Sequence, residues 1–154
     1  MAAEMFGPEQ AEPMLAEVTR VGAGEGIEFR FDRAPAVNTF TAHRLLWLAL
    51  REYGAEAQAA LATALFDAYF RDGVNIADHT RLTEPAERAG LDGDRARHLL
   101  GSEEGSTEVR EQVAAARREG VTTVPRFVFD NGELVVGVTS TDTLRTTHQK
   151  AAGR

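Results

Sequence analysis

Few residues in this chain have both the type and the setting for chemistry, and the most suggestive are Thr123, Val124 and Pro125. They sit between a helical pattern that stops at Gly120 and the apolar run Phe127-Val128-Phe129. An X-Pro bond adopts cis at a cost of about 0.5–1 kcal/mol, so a cis turn can be built at Val124-Pro125. A cis proline just before a strand leaves the backbone N–H and C=O of Val124 pointing outward. There they can pair with an extended peptide. The plainer alternative is a loop proline that merely ends one helix and precedes a strand. The chain has no cysteine. It therefore supplies no thiolate, the species that attacks in disulfide exchange.

Other candidates are weaker. His43, His79, His98 and His148 are far apart and show no His-x-x-x-His spacing, so no metal site is expected. Gly22, Gly24 and Gly26 mimic a dinucleotide loop but follow a helical pattern, which is the wrong context. No cofactor is expected. Asp92, Asp94 and the pair Glu103-Glu104 read as helix-start charges. Trp47 and Tyr53 read as core or interface residues. No residue of this chain is assigned a catalytic role.

Composition narrows the partners. With 24 acidic against 17 basic residues the net charge is −7, which argues against nucleic acid. The basic residues are scattered, so no membrane-binding patch stands out. The first ten residues hold early acidic groups and no apolar run, unlike a signal peptide or a membrane span. Together with the lack of cysteine this makes a cytoplasmic location the expectation.

The elements that must position the proline step are mostly helical. A helix is expected over 8–21, with Ala11, Leu15 and Val18 as its stripe, a kink at Pro13, and Gly22 and Gly24 at its end. Residues 26–32 alternate, with Ile27, Phe29 and Phe31 on one side, as in an extended segment. Asn38 or Thr39 caps a helix with the stripe Ala42, Leu45, Leu46, Ala49, Leu50 and Tyr53, closed by Gly54. The next runs from about Glu56 to Arg71, with Leu61, Leu65, Ala68 and Tyr69 widened by Phe66. A short helix near 78–89 must hold Pro85 in its first turn or kink there. Another follows Asp92 or Asp94 and stops at Gly101. The last runs from Ser106 to Glu119, with Val109, Val113 and Ala116 on one face.

Beyond the proline the pattern changes. Asp130-Asn131-Gly132 is a hairpin turn signal between Phe127–Phe129 and Leu134–Val136. Ser140 or Thr141 then caps a closing helix that carries Leu144 and ends near Gly153. A lone hairpin is marginal. Phe127, Phe129, Leu134 and Val136 ask for a wider sheet, and only 27–31 offers another strand. The chain looks short of sheet.

Four stretches carry a family resemblance: Asn38-Thr-Phe-Thr-Ala-His-Arg-Leu-Leu, Ala68-Tyr-Phe-Arg-Asp-Gly-Val-Asn-Ile-Ala-Asp, Ala89-Gly-Leu-Asp, and Gly120-Val-Thr-Thr-Val-Pro-Arg-Phe-Val-Phe. They resemble the DsbA-like thioredoxin family. The branch they most resemble is the FrnE type, related to 2-hydroxychromene-2-carboxylate isomerases and kappa-class glutathione transferases. The resemblance implies an α/β, thioredoxin-like fold with a helical insertion, mostly helical as present. Residues 1–37 would be a remnant of the N-terminal thioredoxin half, 38–120 the insertion, and 121–154 the C-terminal half. The family's strand–helix–strand unit with its Cys-x-x-Cys pair has no counterpart here.

The implied function is thiol–disulfide oxidoreduction, expected to be inactive in this cysteine-free chain. The alternatives are a non-redox module that binds a peptide or small ligand, and a glutathione-dependent isomerase or transferase relative. Thr123, Val124 and Pro125 are the expected substrate-binding residues. Asn38, His43 and Arg126 are candidates for the cleft lining. Family members often have a small residue after the proline, whereas Arg126 here points either to an altered preference for acidic substrates or simply to solvent. A protein or small thiol is the expected partner, with homodimerisation left open.

Overall fold

The computed structural model describes residues 8–153, with side chains from Glu12 onward. The chain divides into two compact units, one through Val109 and one from Arg110.

The first unit is helical. Helix α1 (Pro8–Gly24) contains Pro13 and continues through Gly22 and Gly24. It stops where Gly26 takes φ 75°. There Gly26 N–H donates to Ala23 O and Ile27 N–H to Gly22 O, at 3.2 and 2.8 Å, the paired bonds of a Schellman stop. Of the expected stripe, Ala11 lies outside the described side chains. Leu15 is half-buried and Val18 is exposed.

Residues 27–30 join no ladder among the described residues and the chain turns at 31–33, correcting the expectation of a third strand. Aromatic packing holds this segment instead. Phe29 and Phe31 do share a side, their rings stacked at 5.2 Å, and both meet the edge of Phe70. Arg30 N–H donates to Phe70 O at 2.7 Å.

Helix α2 (Phe40–Leu48) runs into a π turn at Ala49–Tyr53, and α3 (Ala55–Phe66) into another at Asp67–Arg71. A π turn inserts an extra residue per turn and rotates whatever follows. Leu48, one turn after Leu45, and Ala49 are both fully buried, whereas Leu50 and Tyr53 inside the π turn are exposed, against the regular stripe expected. Phe66 is likewise 64% exposed and does not widen the stripe of α3.

Helix α4 (His79–Arg88) starts at Asp78, whose carboxylate accepts from Thr80 N–H at 2.9 Å. Pro85 lies in its second half rather than its first turn, and it is fully buried. Helix α5 (Gly93–Leu100) is capped by Asp92, which accepts from Arg95 N–H at 2.7 Å. The core collects Leu45, Leu48, Leu61, Leu82 and Leu99, with Ala86 and Ala96.

Arg95 ties this block together, bonding Glu52 at 2.6 and 3.0 Å and Glu104 at 2.6 and 2.9 Å. Its guanidinium holds the Glu104 carboxyl below the usual carboxylate range. A carboxyl depressed in the folded state stabilises above its unfolded pKa, and that stability is lost as pH falls through the folded value. Asp78, lowered by its bonds to Thr80, adds to the same acid limb. The urea midpoint should be flat from about pH 7 to 5.5 and drop below about 4.5. Arg95→Gln should make that drop shallower, and an identical pH profile in the variant would exclude this coupling.

Helix α6 (Ser106–Arg118) crosses from the first unit into the second. Val109 is buried, whereas Val113 is 45% exposed. Beyond it lie strands β1 (Arg126–Val128) and β2 (Leu134–Val136), an antiparallel pair with Phe127 opposite Val135. Helix α7 (Thr141–Ala151) closes the unit, capped by Ser140, which accepts from Thr143 N–H at 3.2 Å.

Opposed residues share a face of a sheet. Phe127 and Val135 thus form one, half-buried face. Val128, Leu134 and Val136 lie on the other, at 69%, 47% and 54% exposure.

Candidate functional site

The loop that leads into the hairpin is built by two local events. Helix α6 ends where Gly120 adopts φ 77°, with Val121 N–H returning to Ala116 O at 3.0 Å. The chain then runs through Thr122 to Thr123, Val124 and Pro125, all exposed. The Val124–Pro125 peptide bond is cis. Pro125 O accepts from Gly137 N–H at 2.8 Å, which carries the antiparallel pairing one step past β1.

That bond sets which groups are free. Paired residues in an antiparallel ladder alternate between facing the partner strand and facing away. Pro125, Phe127 and Phe129 face β2, so the N–H and C=O of Arg126 and Val128 lie on the outer edge. Val124 is 79% exposed, and no backbone group among the described residues bonds its N–H or C=O. The hairpin closes at Asn131, whose Oδ1 accepts from Glu133 N–H at 3.0 Å, and at Gly132, whose N–H donates to Phe129 O at 2.8 Å.

Arg126 does not simply extend into solvent. It is half-buried, its Nε–H is buried without a hydrogen-bond partner, and an Nη1 lies 3.8 Å from where a Cβ on Gly120 would stand. The Nε–H is closed to solvent, so a carboxylate arriving at the strand edge would have to meet the Nη groups.

Two cleft candidates lie in the helical unit. Asn38 Oδ1 accepts from Phe40 N–H at 2.8 Å, an Asx-type turn that leads into α2, whose N-cap position is held by Thr39. His43 is exposed on α2. Thr123, Val124, Pro125 and Arg126 are consecutive in the hairpin unit.

Among the described residues no cluster of three or more His, Cys, Asp or Glu side chains could hold a metal ion. No described helix is long and apolar enough to cross a membrane. Sequence reasoning missed Arg44, which is buried and bonds three carbonyls. It also missed the ring cluster around Phe70, for which the alternation of Phe29 and Phe31 was the one available signal.

A helical block, then a proline loop entering a hairpin, then a closing helix define a thioredoxin-like oxidoreductase fold of mostly helical character. The chain belongs to the family of DSBA-like thioredoxin domains, whose model matches residues 1–149. It is similar to the crystal structure of a probable DsbA oxidoreductase from Streptomyces coelicolor. The TM-score is 0.87 at 32% identity, and the match covers 100% of this chain and 66% of that one. No curated protein matches the chain.

Proposed function

We propose that this chain is the substrate-presenting part of a FrnE-type, DsbA-family thiol–disulfide oxidoreductase, and that alone it performs no redox turnover. One observation carries this reading: a DsbA-like domain without a single cysteine. Disulfide exchange begins with a thiolate attacking a disulfide sulfur and forming a mixed disulfide. No side chain here can take the place of that thiolate. In this reading residues 38–120 are the helical insertion, 121–154 the C-terminal thioredoxin half, and 1–37 a remnant of the other half. The strand–helix–strand unit bearing the reactive group is supplied from outside these 154 residues.

The exposed, unbonded backbone of Val124 supports the substrate side, since an extended segment of a protein can add to that edge. Arg126 favours an acidic residue in that segment. The same free edge also favours a second reading, a peptide-binding module that works without redox chemistry.

The test is insulin reduction by dithiothreitol with and without the purified chain. The precipitation rate should equal that of dithiothreitol alone across a hundredfold range of chain concentration. A rate that rises with the chain overturns the proposal.

A further inference from the structure

The helical unit holds an open groove of about 440 Å³ that is separate from the proline loop in sequence and in chemistry. Its walls are Ile27 and Phe29 from the extended segment, Phe66 from the end of α3 and Phe70 from the π turn after it. The volume falls within the ordinary range for small-molecule sites, and such sites are mostly apolar with a few placed polar groups.

Three features give the groove a preference. First, its rings are organised. Phe70 meets Phe29 edge-on at 5.3 Å and Phe66 at a tilt at 6.1 Å, while Phe66, 64% exposed, leaves a ring face open to solvent. Gly22 makes room for this: a Cβ there would stand 2.5 Å from the Phe29 ring. Secondly, the π turn at Asp67–Arg71 brings Asp67, Phe70 and Arg71 to the groove that Phe66 also lines.

Thirdly, the charges at the rim are unequal. Arg71 is bound to Asp67 at 3.0 Å, and Arg30 gives its guanidinium to Asp32 at 3.0 and 3.1 Å. Glu28, 60% exposed and lining the groove, is left with only a 3.9 Å approach from Arg30. The nearby cations are thus committed to other carboxylates, and Glu28 is the least neutralised charge. Aromatic faces attract cations through their quadrupole.

We propose that this groove is a binding site for a small molecule that carries an aromatic ring and a protonated amine. The ring packs among Phe29, Phe66 and Phe70, and the ammonium lies toward Glu28. An anionic ligand of the same shape meets Glu28, and the one cation that lines the groove, Arg71, is already paired with Asp67. The proposal needs neither a thiol nor the Val124 edge, so it stands or falls apart from the oxidoreductase reading.

Matched probes test it. The full chain, labelled with ¹⁵N, is titrated with tryptamine and separately with indole-3-acetate, while the amides of Ile27, Phe66, Asp67 and Phe70 are followed. Tryptamine should shift these resonances saturably and bind at least fivefold tighter than indole-3-acetate. Phe66→Ala, a change at an exposed ring, should weaken tryptamine at least fivefold, and Glu28→Gln should erase most of the preference between the probes. Equal affinity for both probes, no saturable shift, or an undiminished response in Phe66→Ala overturns the proposal. So do groove resonances that move with protein concentration alone, which would mark a second copy as the occupant.

Discussion

Replacing Arg44 with methionine should lower the unfolding free energy by about 3 kcal/mol. Arg44 is 3% exposed on α2, yet it carries a charge. Its guanidinium donates to Leu99 O at 2.8 Å, Ser102 O at 2.5 Å and Glu104 O at 2.8 Å. These carbonyls gather where α5 ends and the chain turns toward α6. A helix C-terminus leaves its last carbonyls without partners and carries partial negative charge there. Arg44 resolves both conditions from across the core. Methionine keeps the length and apolar contact of the stem but removes all three bonds, and of the three carbonyls Leu99 O alone keeps a donor among the described residues, Ser102, at 3.1 Å. Arg44→Lys should restore less than half the loss, because a single ammonium cannot match the fork of a guanidinium. Urea unfolding followed by circular dichroism measures both variants. A midpoint unchanged in Arg44→Met would show that water serves these carbonyls equally well.

Gly105→Ala should cost a similar amount, about 3 kcal/mol, through two separable causes. Gly105 sits at φ 75°, a conformation that disfavours any Cβ by about 1–2 kcal/mol. The new methyl would also stand 2.7 Å from Cε3 of Trp47. That ring is packed against the core and carries the Arg51 guanidinium 4.9 Å above it, so it has little room to withdraw. Gly90→Ala separates the two causes. It has φ 86° but nothing within 4 Å of the added carbon, so its loss should be limited to about 1 kcal/mol. Trp47 emission reports the steric part directly: it should shift in Gly105→Ala and not in Gly90→Ala. Equal losses in the two variants would mean that the ring yields freely.

Much of this chain could be read in advance because its boundaries are marked by residues with one physical meaning. Gly54 and Gly120 stand at positive φ where helical patterns were expected to stop. Asp78, Asp92 and Ser140 cap helices through their own oxygens. Asn131-Gly132 turns the hairpin it announced. Other features had no local signature. The π turn at Ala49–Tyr53 shifts the helical phase, and Leu50 and Tyr53 face outward within it. Nothing in a 3.6-residue period encodes that shift. Phe29 and Phe31 alternate as a strand would, but what fixes them is the Phe70 ring in the π turn after α3, some forty residues away. Arg44 reads as a surface residue on charge alone. Its role exists only because α5 ends against it.

At the proline loop the residues were legible and their use was not. Val124 and Pro125 were singled out from their setting, whereas the half-buried, unmet donor of Arg126 could only come from coordinates. Of Asn38 and Thr39, both offered as the cap of α2, Thr39 takes the N-cap position, and Asn38 makes the turn before it through its bond to Phe40 N–H.

The brevity of the hairpin has a consequence of its own. An unpaired strand edge invites any other extended chain, and long flat edges of that kind seed fibres. Here each strand is three residues long. The groups that face outward on β1 come from Arg126 and Val128 alone, with Val124 just before them. Such an edge can hold a few residues of a visiting chain and then runs out at Asp130 and Gly132. It is long enough to recognise and too short to template, so a transient visitor can leave without nucleating a stack.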